Sequence, residues 1–90
     1  MSPPFDLHLD GELTIYRAQE LRQTLLDALA QPGDLQLDLS AVSELDSSAV
    51  QLLLATRMDA LAAGKRFAIA AASEPVRQVL ALLGLNTLLH

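Results

Sequence analysis

The chain reads as an α/β domain of two layers, a mixed four-stranded sheet with its helices on one face. Three observations predict this. Apolar residues alternate with polar ones in four short segments, the period of a half-buried strand. They recur at spacings of three and four in three longer segments, the period of an amphipathic helix. After an opening pair of strands the two kinds of segment take turns, giving the order β-β-α-β-α-β-α.

Phe5, Leu7 and Leu9 alternate with Asp6, His8 and Asp10, which predicts the first strand. Asp10-Gly11 then predicts a hairpin turn, because both residue types tolerate positive φ. Glu12 to Ile15 resumes the alternation as a second, antiparallel strand. From about Tyr16 the period becomes helical, with Ala18, Leu21, Leu25 and Leu29 on one side and Pro32-Gly33 as the stop. Leu35, Leu37 and Leu39 mark a third strand, and a polar loop is expected from Ser40 to Asp46. The longest helix runs from Ser48 to about Ala63 and closes at Gly64. Arg66 to Ala70 is the fourth strand, with Phe67 and Ile69 inward. The last helix starts at Ser73 as N-cap, tolerates Pro75 in its first turn, and ends with Gly84 as the residue after its cap and Leu85 packing back on Leu80. Strands that alternate have only one apolar face, and right-handed crossovers advancing in one direction place every helix on that face.

Ninety residues allow one domain, spanning 1–90. A net charge of −5 argues against nucleic acid, which is bound through clustered lysine and arginine. With three aromatic residues, the chain has no platform for stacking bases. The absence of cysteine removes disulfides, thiolate chemistry and cysteine metal sites. Met1-Ser2-Pro3-Pro4 lacks the features of a signal peptide, and no apolar run approaches the roughly 18 residues of a membrane span. A cytoplasmic protein without membrane insertion is expected.

Catalytic and metal-binding patterns are missing. His8 and His90 have no partner at ligand spacing, and there is no nucleophile elbow, phosphate loop or zinc-protease motif. Glu44 and Asp46 read as turn and capping acids. No catalytic residue, metal or cofactor is assigned, and an enzyme is not expected.

The most informative segment is Leu39 to Val50. Ser48 and Gln51 have the spacing of a capping box, with Leu45 available for apolar packing at the helix entry. Ser47 then stands just outside the helix, its hydroxyl free beside unpaired backbone N–H groups. A phosphate there would add roughly −1.5 to −2 charges at a positive helix end, close to Asp46 and Glu44. On the helical wheel Val50, Leu53, Leu54, Met58 and Leu61 form the expected core face. Leu52 falls opposite, near Ala49, Thr56 and Ala63, which reads either as a docking surface for a flat partner or as a stray surface leucine.

These residues carry a family resemblance. Gly11-Glu12-Leu13-Thr14, Leu37-Asp38-Leu39-Ser40, Leu45-Asp46-Ser47-Ser48 and Leu83-Gly84-Leu85 resemble STAS domains, named for sulfate transporters and anti-sigma factor antagonists, over essentially the whole chain. The family's most specific motif, Asp-Ser/Thr-Ser/Ala-Gly at the start of the second helix, falls on Asp46 to Ala49. The resemblance implies Ser47 as the phosphoacceptor, with Ser48 as second choice, and Asp46, Ser47, Ser48, Ala49, Leu52 and Thr56 as partner contacts. Ala49 stands where the motif has glycine, and its methyl is expected to narrow a partner's approach.

The function so implied is a regulatory binding protein in signal transduction. Its partner would be an anti-sigma factor with serine kinase activity, or a histidine-kinase protein of chemotaxis type. The alternative is an accessory subunit of an Mla-type lipid-transport ABC complex, docked on the ATPase and not switched by phosphate.

Overall fold

The computed structural model describes residues 3–89. Met1, Ser2 and His90 lie outside the described residues, and with them the expectations placed on the first two residues and on the second histidine. The elements are strand β1 (Phe5–Leu13), a 3-10 turn (Ile15–Arg17), helix α1 (Ala18–Leu29), strand β2 (Leu35–Leu45), helix α2 (Ser47–Ala62), strand β3 (Phe67–Ala72), helix α3 (Glu74–Leu82) and a second 3-10 turn (Asn86–Leu88).

Among the described residues the sheet has three strands, not four, in the order β1-β2-β3, and both pairings are parallel. The expected hairpin at Asp10-Gly11 is absent, which removes the antiparallel pair and the mixed sheet. Gly11 does take a left-handed φ of +70°, as the dipeptide requires, but the chain continues in the same direction. Arg17 explains how. Its Nη1 donates to the carbonyls of Asp10 and Glu12 on either side of Gly11, each at 2.9 Å. The kink therefore stays inside one long strand.

The expected loop from Ser40 to Asp46 is also strand. Against β1, β2 carries an extra residue between Asp38 and Ala41 and another between Val42 and Glu44. Each is a β-bulge, which shifts the side-chain alternation by one. Val42 and Leu45 stay buried while Ser40, Ala41, Ser43 and Glu44 are exposed, so period two is lost although pairing persists. Asp38 Oδ1 accepts the Ser40 N–H at 2.9 Å and holds the first bulge.

The core is aliphatic. Leu13, Leu37, Leu39, Leu53, Ile69, Val76 and Leu80 are completely buried between the sheet and the helices. A buried leucine or isoleucine of this kind is worth about 1.5–3 kcal/mol relative to exposure. The opposite face of the sheet carries Asp6, His8, Asp10 and Glu12 from β1, all exposed. The helices thus cover one face only, as the alternation predicts.

Helix ends follow the sequence closely at α3. Ser73 is the N-cap residue and Pro75 lies in the first turn, although Ser73 Oγ donates to the Val42 carbonyl rather than capping. At the other end Leu85 N–H donates to Leu80 O and Gly84 N–H to Ala81 O. This is the paired bonding of a Schellman motif, and Gly84 supplies its left-handed residue at φ +70°.

Gly11→Ala is expected to destabilise the protein by about 1–2 kcal/mol, because L-residues resist a left-handed φ and the new Cβ would stand 3.3 Å from Arg17 Nη1. Urea denaturation measures this, and an unchanged midpoint would contradict the left-handed kink.

Candidate functional site

β2 ends at Leu45 and α2 starts at Ser47, so Asp46 alone makes the turn. Its backbone is extended, and its Oδ1 accepts the Ala49 N–H at 3.0 Å. Asp46 is therefore the N-cap, in place of the expected Ser48. The shift has a sequence cause that was available. With Asp46 as cap, Leu45 and Val50 take the two positions that form a hydrophobic staple, and both are buried in the core. With Ser48 as cap, the corresponding pair would be Ser47 and Leu52, which cannot staple.

Asp46 does more than cap. Its Oδ2 accepts the Ile15 N–H at 2.9 Å, and its own N–H donates to Leu13 O. One residue thus ties the end of β1, the 3-10 turn and the first turn of α2 together. Thr14, between the two tethered residues, is buried, and its Oγ1 has no hydrogen-bond partner.

This arrangement sets the two serines apart. Ser47 and Ser48 are the first two residues of α2, whose N–H groups have no acceptor within the helix. Ser47 is exposed and Ser48 half-buried. The hydroxyl of Ser47 is the accessible one at a helix end that favours negative charge.

The expected docking face changes. Ala49 and Thr56 are buried, Leu52 is half-buried, and Thr56 Oγ1 donates to the Leu52 carbonyl within the helix. Leu52 and Thr56 line a shallow groove with Arg22, Leu25, Leu26, Ala55 and Asp59, where α2 packs beside α1. Met58 and Leu61, expected in the core, are 68% and 52% exposed. α2 packs on both the sheet and α1, so apolar residues surround it: Val50 and Leu53 are buried as expected, with Ala49, Thr56 and Ala60 beside them. The outward face carries Ser47, Gln51, half-buried Leu54, Met58 and Leu61 at helical spacing. Ala49 is 1% exposed. Its methyl points into the core and does not obstruct a partner, contrary to expectation.

A second polar group lies on the uncovered sheet face. His8 Nδ1 is 3.0 Å from Asp38 Oδ2, and Ser40 Oγ donates to Asp38 Oδ1 at 2.6 Å. The Ser40 hydroxyl and then its backbone N–H hold the Asp38 carboxyl below its usual range, burial opposes them, and His8 adds a smaller effect. The carboxylate sits between serine and histidine, so the imidazole does not activate the hydroxyl. Among the described residues no cluster of acids and histidines has the arrangement of a metal site, and no helix is long and apolar enough to cross a membrane.

Asp46→Ala removes both carboxylate bonds and is expected to cost about 1–2 kcal/mol, whereas Ser48→Ala stays within about 0.5 kcal/mol. Equal losses in thermal unfolding would return the cap to Ser48.

The geometry agrees with what comparison finds. A family model described as "Mlab, STAS domain" matches residues 4–90. Among solved structures, the anti-sigma factor antagonist SpoIIAA in its unphosphorylated form is similar, with a TM-score of 0.80 and 25% identity. The alignment covers 97% of this chain and 77% of that one. Among curated proteins, none matches closely enough to count as a relative. The chain belongs to the STAS domain family.

Proposed function

We propose that this STAS domain is a regulatory binding module without catalytic activity of its own, switched by phosphorylation of Ser47. The observation that carries this reading is the exposed Ser47 hydroxyl at the first position of α2, beside an aspartate already committed to capping. The similarity to an anti-sigma factor antagonist supports it, since that structure is described by its unphosphorylated form.

Physical chemistry gives the switch its direction. A phosphoserine carries roughly −1.5 to −2 charges at neutral pH. At Ser47 it would face the positive end of α2, which tolerates it, and Asp46 and Glu44, which repel it. The outward apolar residues Leu54, Met58 and Leu61 continue from the same position along the helix. A partner covering that face would have to desolvate the phosphate, so phosphorylation ends docking while the fold persists. The partner class is a cytoplasmic signalling protein, an anti-sigma factor with serine kinase activity or a histidine-kinase protein.

The description of the matching family favours a second reading, an accessory subunit of an Mla-type lipid-transport complex that docks on the ATPase. The same α2 face would then be a constant contact, and Ser47 would stay unmodified.

Intact-mass measurement of the protein purified from its own cells separates the two. The switch predicts a species heavier by one phosphate, located on Ser47 by fragmentation and lost in Ser47→Ala. Unmodified Ser47 in cells and after incubation with the serine kinase of its pathway would reject the switch and leave the assembly role.

A further inference from the structure

Two large apolar side chains stand exposed beside the Ser47 turn without a structural reason to be there. Ile15 is 62% exposed and Tyr16 95% exposed. Both lie on the 3-10 turn whose first N–H is bound by Asp46. Ile15 and Ser47 thus flank the same carboxylate.

The turn is firmly held. Ile15 N–H is bound by Asp46, Arg17 N–H by Thr14 O, and the Arg17 guanidinium by the carbonyls of Asp10 and Glu12 and by Glu20 at 3.3 Å. An exposed aromatic on a fixed backbone loses little conformational freedom on binding, and tyrosine is among the residues most often dominant in interfaces. Acidic side chains predominate around the turn. Glu12 and Glu44 are exposed and pair across β1 and β2 at this end of the sheet. No lysine or arginine occurs between residues 5 and 16 or between 38 and 56, and Arg17 is occupied by the contacts just named.

We propose that Ile15 and Tyr16 anchor a protein partner that presents an apolar cleft rimmed by lysine or arginine, the two side chains filling the cleft and Glu12 and Glu44 meeting the rim. The inference rests on the Ser47 turn being an interface and extends that interface across Asp46 to the first 3-10 turn. The acidic rim steers encounter, and the apolar pair provides the affinity.

The test replaces Tyr16, and separately Gln51 one turn beyond Ser47, with photoreactive benzoylphenylalanine in living cells. Adducts are identified by mass spectrometry, and the captured protein is then purified and titrated. The expected result is one protein captured from both positions, bound about tenfold more weakly by Tyr16→Ala, with the salt dependence of binding reduced when Glu12→Gln and Glu44→Gln are combined. An unchanged melting temperature for Tyr16→Ala excludes misfolding, because its side chain touches little. Capture from position 51 without capture from 16, or an affinity within twofold of wild type for Tyr16→Ala, overturns the proposal and leaves the Ser47 reading intact. Capture from position 16 alone, or from neither position, overturns the shared interface and the Ser47 reading together.

Discussion

The Asp46 carboxylate is the constraint on which the site depends. It has two oxygens, and each satisfies a backbone N–H that would otherwise lack a partner, one at the start of α2 and one at Ile15. Hydrogen bonds to an ionised acceptor are worth roughly twice those between neutral groups. They also act on segments far apart in sequence, since Ile15 and Asp46 are separated by 31 positions. Fixing both at once places the exposed Ser47 hydroxyl and the exposed Ile15-Tyr16 pair on one surface.

The sheet supplies the frame. Parallel pairing of three strands brings the ends of β1 and β2 together, with Leu13 opposite Leu45. The first turn and the start of α2 emerge from that edge side by side. Bulges in β2 and the kink at Gly11 adjust the ends so that Asp46 N–H reaches Leu13 O. Arg17 stabilises the kink from one side and Asp38 the first bulge from the other. Local irregularities that look like defects in the strands are what align the functional turn.

Much of this was legible in the sequence, and the failures share a cause. Period-two alternation located β1, β3 and the first half of β2, and it correctly implied one covered face. The capping signals of α3, Ser73, Pro75 and Gly84, were read in place. Asp10-Gly11 correctly signalled a left-handed residue, but a turn dipeptide does not say whether the chain reverses. That depended on Arg17, seven residues from Asp10, catching the carbonyls. β2 beyond Ser40 reads as loop in the sequence because its bulges erase the alternation. Ser47 is exposed, as its place in the turn implies, while the cap lies two residues earlier than the capping-box spacing suggests, where Leu45 and Val50 form the staple. The α2 wheel places Val50 and Leu53 correctly but not Met58 and Leu61, because a helix packed on two sides has no single apolar stripe, and burial of Ala49 and Thr56 is set by close packing that composition does not reveal. Ile15 and Tyr16 look like ordinary strand and helix positions in the sequence, since exposure is not encoded in their residue types.

The proposed switch needs little motion, because Ser47 and the exposed apolar residues stand beside one turn held by one side chain. Amide hydrogen exchange of Ile15, compared between wild type and Asp46→Ala, tests that claim most directly. The account predicts a protected Ile15 amide in the wild type, accelerated on the order of a hundredfold by the substitution, while Leu37 and Ile69 in the core change only by the global loss of stability. An Ile15 amide that exchanges freely in the wild type, or that accelerates no more than those core amides, would contradict it.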